Sequence, residues 1–274
     1  MQQREVPTYT ATEFQPKKAK YALIIPVINE GERIKNQLLR SRPWFSAVDA
    51  ILVDGGSTDG SMEQRYLAGT GIRTLLLKTG PGKLSAQIRV GLAYALDQGY
   101  EGTILIDGNN KDNPEAIPLF IGALDDGYDH VQGSRFIEGG KMINNPPLRI
   151  LGLKVLHAPL ISIAAGYRYT DTTNGYRAYS KKLLDHPEIL PFRELFSKYE
   201  LHYYLAIQAG RQKLRIKEVP VERVYPPGKV PTKISGFRGN LLILQTLWRA
   251  ATGFYNPSST SLTGDHPRKT TSKN

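Results

Sequence analysis

Short apolar runs alternate with helical patterns through the middle of the chain. ALIIPVI (22–28), AILVDGG (50–56), TLLLK (74–78), GTILIDG (102–108) and HVQGSRF (130–136) show no polar alternation. Runs of that kind predict strands buried on both faces of a mostly parallel sheet. Between them, Ile34, Leu38 and Leu39 share one helical face, and so do Leu84, Ile88, Leu92 and Ala95. Ser57 is placed to cap one helix, and Asn113 with Pro114 at the first helical position to start another. A further strand is expected in KLRIKEVPVERVY, residues 213–225. Strand–helix alternation of this sort predicts a doubly wound α/β sheet.

Both ends differ from this pattern. Residues 1–20 are polar with a lysine cluster, and residues 256–274 are rich in Ser, Thr, Pro and Lys, so both are expected to be flexible. In a doubly wound sheet, ligands gather beyond the carboxyl ends of the strands. Five such ends carry polar chemistry here: Pro26 to Glu30, Asp54 to Ser57, Gly80 to Lys83, Asp107 to Asn109 and Gly133 to Arg135. Any one of them is an ordinary strand stop, since Asp, Asn and Gly end strands and start turns. Five on one rim predict a site.

Composition narrows the partner. The 274 residues carry a formal charge of +11 and a pI near 9.6, which favours an anionic partner: nucleic acid, a phosphorylated substrate or an acidic membrane surface. With no cysteine, disulfides and Cys-ligated zinc are excluded. The N-terminus has no apolar core of signal-peptide length, and no stretch approaches the roughly 18–20 apolar residues that span a bilayer. The expected location is cytoplasmic, with two options open: soluble, or peripheral at the cytoplasmic membrane face. Nucleic-acid binding ranks last, because no aromatic-plus-basic platform or recognition motif accompanies the charge.

Several α/β chemistries drop out. PVINEGER follows the first strand where a dinucleotide fold needs Gly-x-Gly-x-x-Gly, GPGKLS is too short for a phosphate loop, and no Gly-x-Ser-x-Gly elbow occurs. The five histidines show no metal-ligand spacing. What remains is an ordered set: PVINE (26–30), VDGGSTDGS (53–61), GKLSAQIRVGLAYA (82–95), ILIDGNNKDNPE (104–115), QGSRF (132–136) and DTTNGYRAYS (171–180). This set resembles family 2 glycosyltransferases of the GT-A fold, in particular the dolichol- and polyprenyl-phosphate mannose synthase-like branch, over roughly residues 21–235.

The resemblance implies a GT-A nucleotide-diphospho-sugar transferase fold and a UDP- or GDP-linked sugar donor. It implies that Pro26, Asn29, Glu30 and Asp54 line the nucleoside pocket, and the strand end at Lys83 is expected on the same side. Asp107 and Asn109 stand where the family has Asp-x-Asp, whose carboxylates hold Mg²⁺ or Mn²⁺ at the donor diphosphate. Arg135 matches an arginine expected near a phosphate, removable without harm to folding. Asp171 and Arg177 match the acceptor floor, with Lys233 expected nearby, and Asp171 is the candidate base for a hydroxyl acceptor. Three positions depart from the pattern: Asn109 replaces an acid, Lys111 a glutamine, and Asp54-Gly55 an Asp-Asp pair. At Lys111, two readings stay open: a partial substitute for the metal's charge, or a solvated loop lysine.

The expected organisation is a flexible segment 1–20, a catalytic domain 21–228, a basic amphipathic segment 229–255 and a flexible tail 256–274. From Leu241 onward, apolar residues at 244, 247, 248, 251 and 254 form one broad helical face flanked by Lys229, Lys233, Arg238 and Arg249. That face suits either packing on the catalytic domain or lying on an anionic membrane beside a lipid-phosphate acceptor. Two alternatives accompany the transferase reading: a catalytically weakened nucleotide-sugar-binding protein, and a transferase acting on a soluble hydroxyl acceptor.

Overall fold

The computed structural model describes residues 4–144, 150, 152–226 and 236–257. The apolar runs form the centre of an eight-stranded sheet: β2 Tyr21–Val27, β3 Val48–Asp54, β4 Thr74–Lys78, β5 Gly102–Leu105 and β6 His130–Ser134. β1 (Tyr9–Glu13) lies at one edge, β8 (Arg177–Ser180) inside the sheet and β9 (Ile216–Pro220) at the other edge. The spatial order is β1-β4-β3-β2-β5-β8-β6-β9. β1 runs antiparallel to β4, and β8 antiparallel to both β5 and β6. The other neighbours are parallel.

Continuous apolar runs suit this sheet because both of its faces are covered. Alternate residues of β2 enter different cores: Ala22 and Ile24 pack with one cluster, Leu23, Ile25 and Val27 with the other. On the first face lies α3 (Leu84–Asp97), buried along nearly its whole length, with α5 (Ala158–Ala165), α7 (Glu200–Arg211) and α8 (Gly236–Ala251) beyond. On the second lie α1 (Glu32–Ser41) and α4 (Ile117–Asp125). Short helices α2 (Gln64–Ala68) and α6 (Lys181–Leu184) fill connections. A small second sheet pairs β7 (Lys141–Ile143) with β10 (Glu222–Val224) in parallel.

Several local expectations change. Residues 9–13 are an ordered edge strand: their polar side chains suit an edge, and the pairing from Tyr9–Lys78 to Glu13–Thr74 satisfies their backbone. Ile34 and Leu38 are buried, but Leu39 is 68% exposed. Ser57 caps no helix; its N–H and hydroxyl both donate to Asp54. Pro114 does open a helical turn, but the Asn113 side chain accepts from Glu222 N at 2.8 Å instead of capping it. The run 213–225 divides at Val221, whose N–H donates to Ser134 O, into β9 and β10.

The C-terminal helical face divides as well. Leu247 and Ala250 are buried in the core shared with α5 and α7, whereas Leu244, Trp248 and Phe254 are exposed. The helix therefore packs on the domain with one side and presents apolar residues with another. Lys229 and Lys233 lie outside the described residues, as does most of the 256–274 tail.

Candidate active site

The carboxyl ends of β2, β3 and β5 converge on one rim. On the side where the nucleoside is expected, two loops are tied together by short polar contacts. The Asn29 N–H donates to Ser57 Oγ at 3.0 Å, and Asn29 Oδ1 accepts from Thr58 N at 2.8 Å. Asp59 Oδ2 accepts from Gly31 N at 2.8 Å. Asn29 has φ 49°, a left-handed conformation that Asn tolerates better than most residues. Asp54 is buried and accepts the Ser57 hydroxyl at 2.6 Å. Buried Glu30 pairs with Arg33 at 2.8 Å. Pro26, one residue before the end of β2, lies in register with Val53. Lys83 is exposed at the start of α3, its N–H donating to Ser197 O.

Gln87, buried on α3, closes this side from beneath. Its amide donates to Val27 O at 2.7 Å and to Val53 O at 2.9 Å, joining the ends of β2 and β3. A Cβ at Gly55 would lie 3.0 Å from that amide nitrogen. The glycine of Asp54-Gly55 thus leaves the room in which Gln87 works.

On the side where the donor phosphates are expected, the contacts are between charges far apart in sequence. Asp107, just past β5, pairs with Arg223 of β10 at 3.0 Å, and Arg223 pairs with Asp112 at 2.5 Å. Asp112 is fully buried, and its Oδ1 has no hydrogen-bond partner. Burial raises the Asp112 carboxyl, with the Arg223 charge opposing. Burial works on Asp107 in the same direction, but Arg223 and the Asn109 amide bring it below the ordinary carboxylate range. About a quarter of the Asp107 side chain stays open to solvent. Asn109 Nδ2 donates to Asp107 Oδ2 at 3.3 Å. Gly175, in the loop before β8, meets Asp107 so closely that a Cβ there would lie 2.7 Å from Oδ1. This contact brings the expected acceptor floor against the Asp107 strand end.

Arg135 and Asp171 are brought together, but as each other's partners. Arg135 Nε donates to Asp171 Oδ2 at 2.6 Å and Nη2 to Oδ1 at 2.9 Å. Arg135 also donates to Thr173 Oγ1 and to Tyr225 Oη. Both side chains are almost wholly buried. Burial would raise the Asp171 carboxyl, but bonding to Arg135 outweighs it and holds the carboxyl low. The expectation of Asp171 as an open base is thereby corrected: its oxygens also accept from the N–H and hydroxyl of Thr173. Arg177 is fully buried too, donating to the carbonyls of Asn174, His202 and Thr172 at 2.9, 2.8 and 2.7 Å. It ties the loop before β8 to α7. Lys233 lies outside the described residues.

Sequence reasoning missed Arg223 and His202. Burial and the Arg177 charge push His202 down to about 3, keeping it neutral, with Asp107 acting the other way. Arg223 sits in the motif-free run VPVERVY, more than a hundred residues from Asp107. An arginine on a strand with buried neighbours was the one available signal, and it named no partner.

An Asp-x-Asp-type ion would sit at Asp107 and Asn109. Among the described residues, no group of three or more acids or histidines forms a closed metal site. The pair fits a different kind of site: Mg²⁺ commonly takes one or two protein carboxylates and completes its shell from substrate phosphate and water. The open part of the Asp107 carboxylate suits that arrangement.

Comparison with known proteins identifies the family and the fold. An undecaprenyl-phosphate mannosyltransferase of Micrococcus luteus is 30% identical over 235 residues, 83% of this chain and 93% of that protein. A polyprenol monophosphomannose synthase of Mycolicibacterium smegmatis is 30% identical over 166 residues, 60% of this chain and 62% of that one. Among solved structures, glucosyl-3-phosphoglycerate synthase of Mycobacterium tuberculosis, in complex with Mn²⁺, UDP and phosphoglyceric acid, superposes with a TM-score of 0.60. At 18% identity over 87% of this chain and 80% of that one, it shows a shared fold. The profile described as Glycosyl transferase family 2 matches residues 22–186, and the chain belongs to that family of glycosyltransferases.

Proposed function

We propose that this glycosyltransferase moves a sugar from a nucleoside-diphosphate donor to the phosphate of a polyprenyl carrier. The observation that carries the reading is the meeting of three parts at Asp107: the strand-end rim, the Asn109 loop and the Gly175 floor. The Micrococcus and Mycolicibacterium relatives, named for polyprenyl-phosphate mannosyl transfer, support it. An acceptor phosphate oxygen would attack the anomeric carbon as the bond from that carbon to the donor diphosphate breaks, releasing the nucleoside diphosphate. Negative charge grows on the leaving group, so cationic groups there act most strongly in the transition state. Asp107 and Asn109 would hold a divalent ion, Mg²⁺ or Mn²⁺, which when bound offsets diphosphate charge.

The acceptor class follows from Asp171. A hydroxyl acceptor needs a base, and the Asp171 carboxylate is held by Arg135 and Thr173. A phosphate acceptor is already anionic and needs none. We therefore assign Arg135, Asp171 and Arg177 to shaping the acceptor floor, and Pro26, Asn29, Glu30, Asp54 and Lys83 to the nucleoside side. Residues 21–228 would be the catalytic domain and 229–255 its basic extension.

The exposed apolar residues support membrane-surface attachment. Val155 just before α5 and Ile163 on it, with Leu244, Trp248 and Phe254, are open to solvent, as are Lys154 and Arg249. No helix among the described residues is long and apolar enough to cross a membrane. Interfacial docking uses this combination of apolar and basic side chains. Binding to anionic vesicles that weakens with salt, and weakens further in Trp248→Ala, is the expected result; equal binding to neutral vesicles removes the electrostatic part.

The decisive experiment offers purified protein UDP- and GDP-linked hexoses with a short polyprenyl phosphate or the corresponding polyprenol. Glycosyl-phosphoprenol should form from the phosphate alone. Transfer to the free alcohol would restore the hydroxyl-acceptor reading, and the absence of any transfer would favour a binding protein that has lost activity.

A further inference from the structure

The rim around Asp107 holds two cations, Arg223 and Lys111, the second where the family pattern has a glutamine, and an amide, Asn109, where that pattern has an acid. Arg223 takes both carboxylates, Asp107 and Asp112. Lys111 follows Asn109 by two residues and its backbone is fixed on both sides: its N–H donates to Asn109 Oδ1 at 3.2 Å, and its carbonyl accepts from Val224 N at 2.8 Å. Its ammonium lies 5.4 Å from the centre of the Tyr225 ring. The side chain is half-buried. The charges it senses come from both sides of the rim: Arg223 and Asp107 on one, Arg33 and Glu30 on the other. The solvated-loop reading of Lys111 does not describe this placement.

The charge balance has a direct consequence. With Asp112 ionised, Asp107, Asp112, Arg223 and Lys111 carry no net charge; with Asp112 protonated, they carry one positive charge. A free divalent ion meets no excess of negative charge here. A diphosphate passing from the nucleoside loops towards Gly175 meets a placed ammonium, and brings the anionic oxygens an ion would need.

We propose that Lys111, braced by Tyr225 and backed by Arg223, is a donor-diphosphate cation built into the chain, so that a nucleoside diphosphate binds without a divalent ion and the ion adds to that binding. The proposal rests on the donor class proposed above. Lys111 contacts the diphosphate directly, and Arg223 is the positioning residue that keeps Asp107 and Asp112 from drawing Lys111 away.

Calorimetric titration of the full chain with UDP and with GDP, each in EDTA and in Mn²⁺, tests it. For the nucleotide that binds, the dissociation constant should differ less than about tenfold between the two conditions. Lys111→Gln should weaken binding about tenfold or more in EDTA, with Mn²⁺ restoring most of the loss, while Lys111→Arg behaves like the wild type. Wild-type binding that requires Mn²⁺ overturns the proposal, and so does an equal loss for Lys111→Gln in both conditions. Failure of both nucleotides in both conditions would instead overturn the donor assignment on which it rests.

Discussion

The two sides of the rim are built differently. On the proposed nucleoside side, Asn29 and Gly31 are tied to Ser57, Thr58 and Asp59 by hydrogen bonds between two loops about 28 residues apart, and Ser57 is tied in turn to Asp54. Exposed positions predominate, and backbone N–H groups are the main donors. On the proposed phosphate side, Arg135–Asp171 and Arg223–Asp112 are buried ion pairs and Arg223–Asp107 a partly buried one, joining segments 36 to 116 residues apart. The first side is a polar loop that a ligand can enter at small cost. The second is a charge network in which the loss of one member strands another, because a buried charge without its partner costs far more than the pair contributes.

That contrast is most directly broken at Arg135. Removing it in Arg135→Ala leaves Asp171 buried and unpaired, so the unfolding free energy should fall by about 3–5 kcal/mol in a urea titration. A stability within error of wild type would return Arg135 to its expected place as a dispensable phosphate contact. Gly175→Ala should act next most strongly. Its methyl would meet Asp107 Oδ1, and the displacement should cost about 1–3 kcal/mol while weakening nucleotide affinity in Mn²⁺. Unchanged melting and affinity would show that the floor yields freely.

The packed interior also holds buried histidines, which the nucleoside loops lack. Burial pushes His157 down to about 4 and His130 well below its ordinary value, with Arg177 adding to the effect on His130. The folded-state values lie below that of the unfolded chain, so the unfolded state takes up the protons first as pH falls. Stability is full above about pH 6.5 and should drop by about 1.4 kcal/mol per pH unit for each histidine down to about pH 4. His157→Gln should flatten that slope; an unchanged slope would place the acid sensitivity elsewhere. The smallest effect belongs to the nucleoside side. Asn29→Gly keeps the left-handed backbone and removes only the exposed hydrogen bonds that the side chain accepts from Thr58, so stability should shift by about 1 kcal/mol or less. Nucleoside diphosphate affinity should fall measurably in the same variant. A stability loss as large as that of Arg135→Ala would erase the distinction between the two sides.

The pattern of apolar runs was sufficient to find five central strands, because a strand buried on both faces must be apolar throughout. The edge strand β1 escaped notice because an edge needs only backbone pairing, and its polar sequence resembles a tail. Strand β8 also escaped, lying within a segment read for its chemistry rather than its hydrophobicity.

The sequence by itself determined the sheet, the rim and the residue types on it: Asn29, Asp54, Asp107 and Asn109 are local, each placed by the strand that precedes it. It also determined that Asn109 and Lys111 depart from the two-acid pattern. Only the tertiary structure decided what those residues face. Arg223 reaches Asp107 because β10 joins the small second sheet, Gly175 reaches it because the loop before β8 folds over the strand end, and Asp171 is withdrawn from solvent by Arg135. The physical reason is range. Hydrophobic periodicity and turn chemistry act over a few residues and can be read along the chain, whereas the pairing of buried charges depends on which distant segments the packed sheet brings within 3 Å.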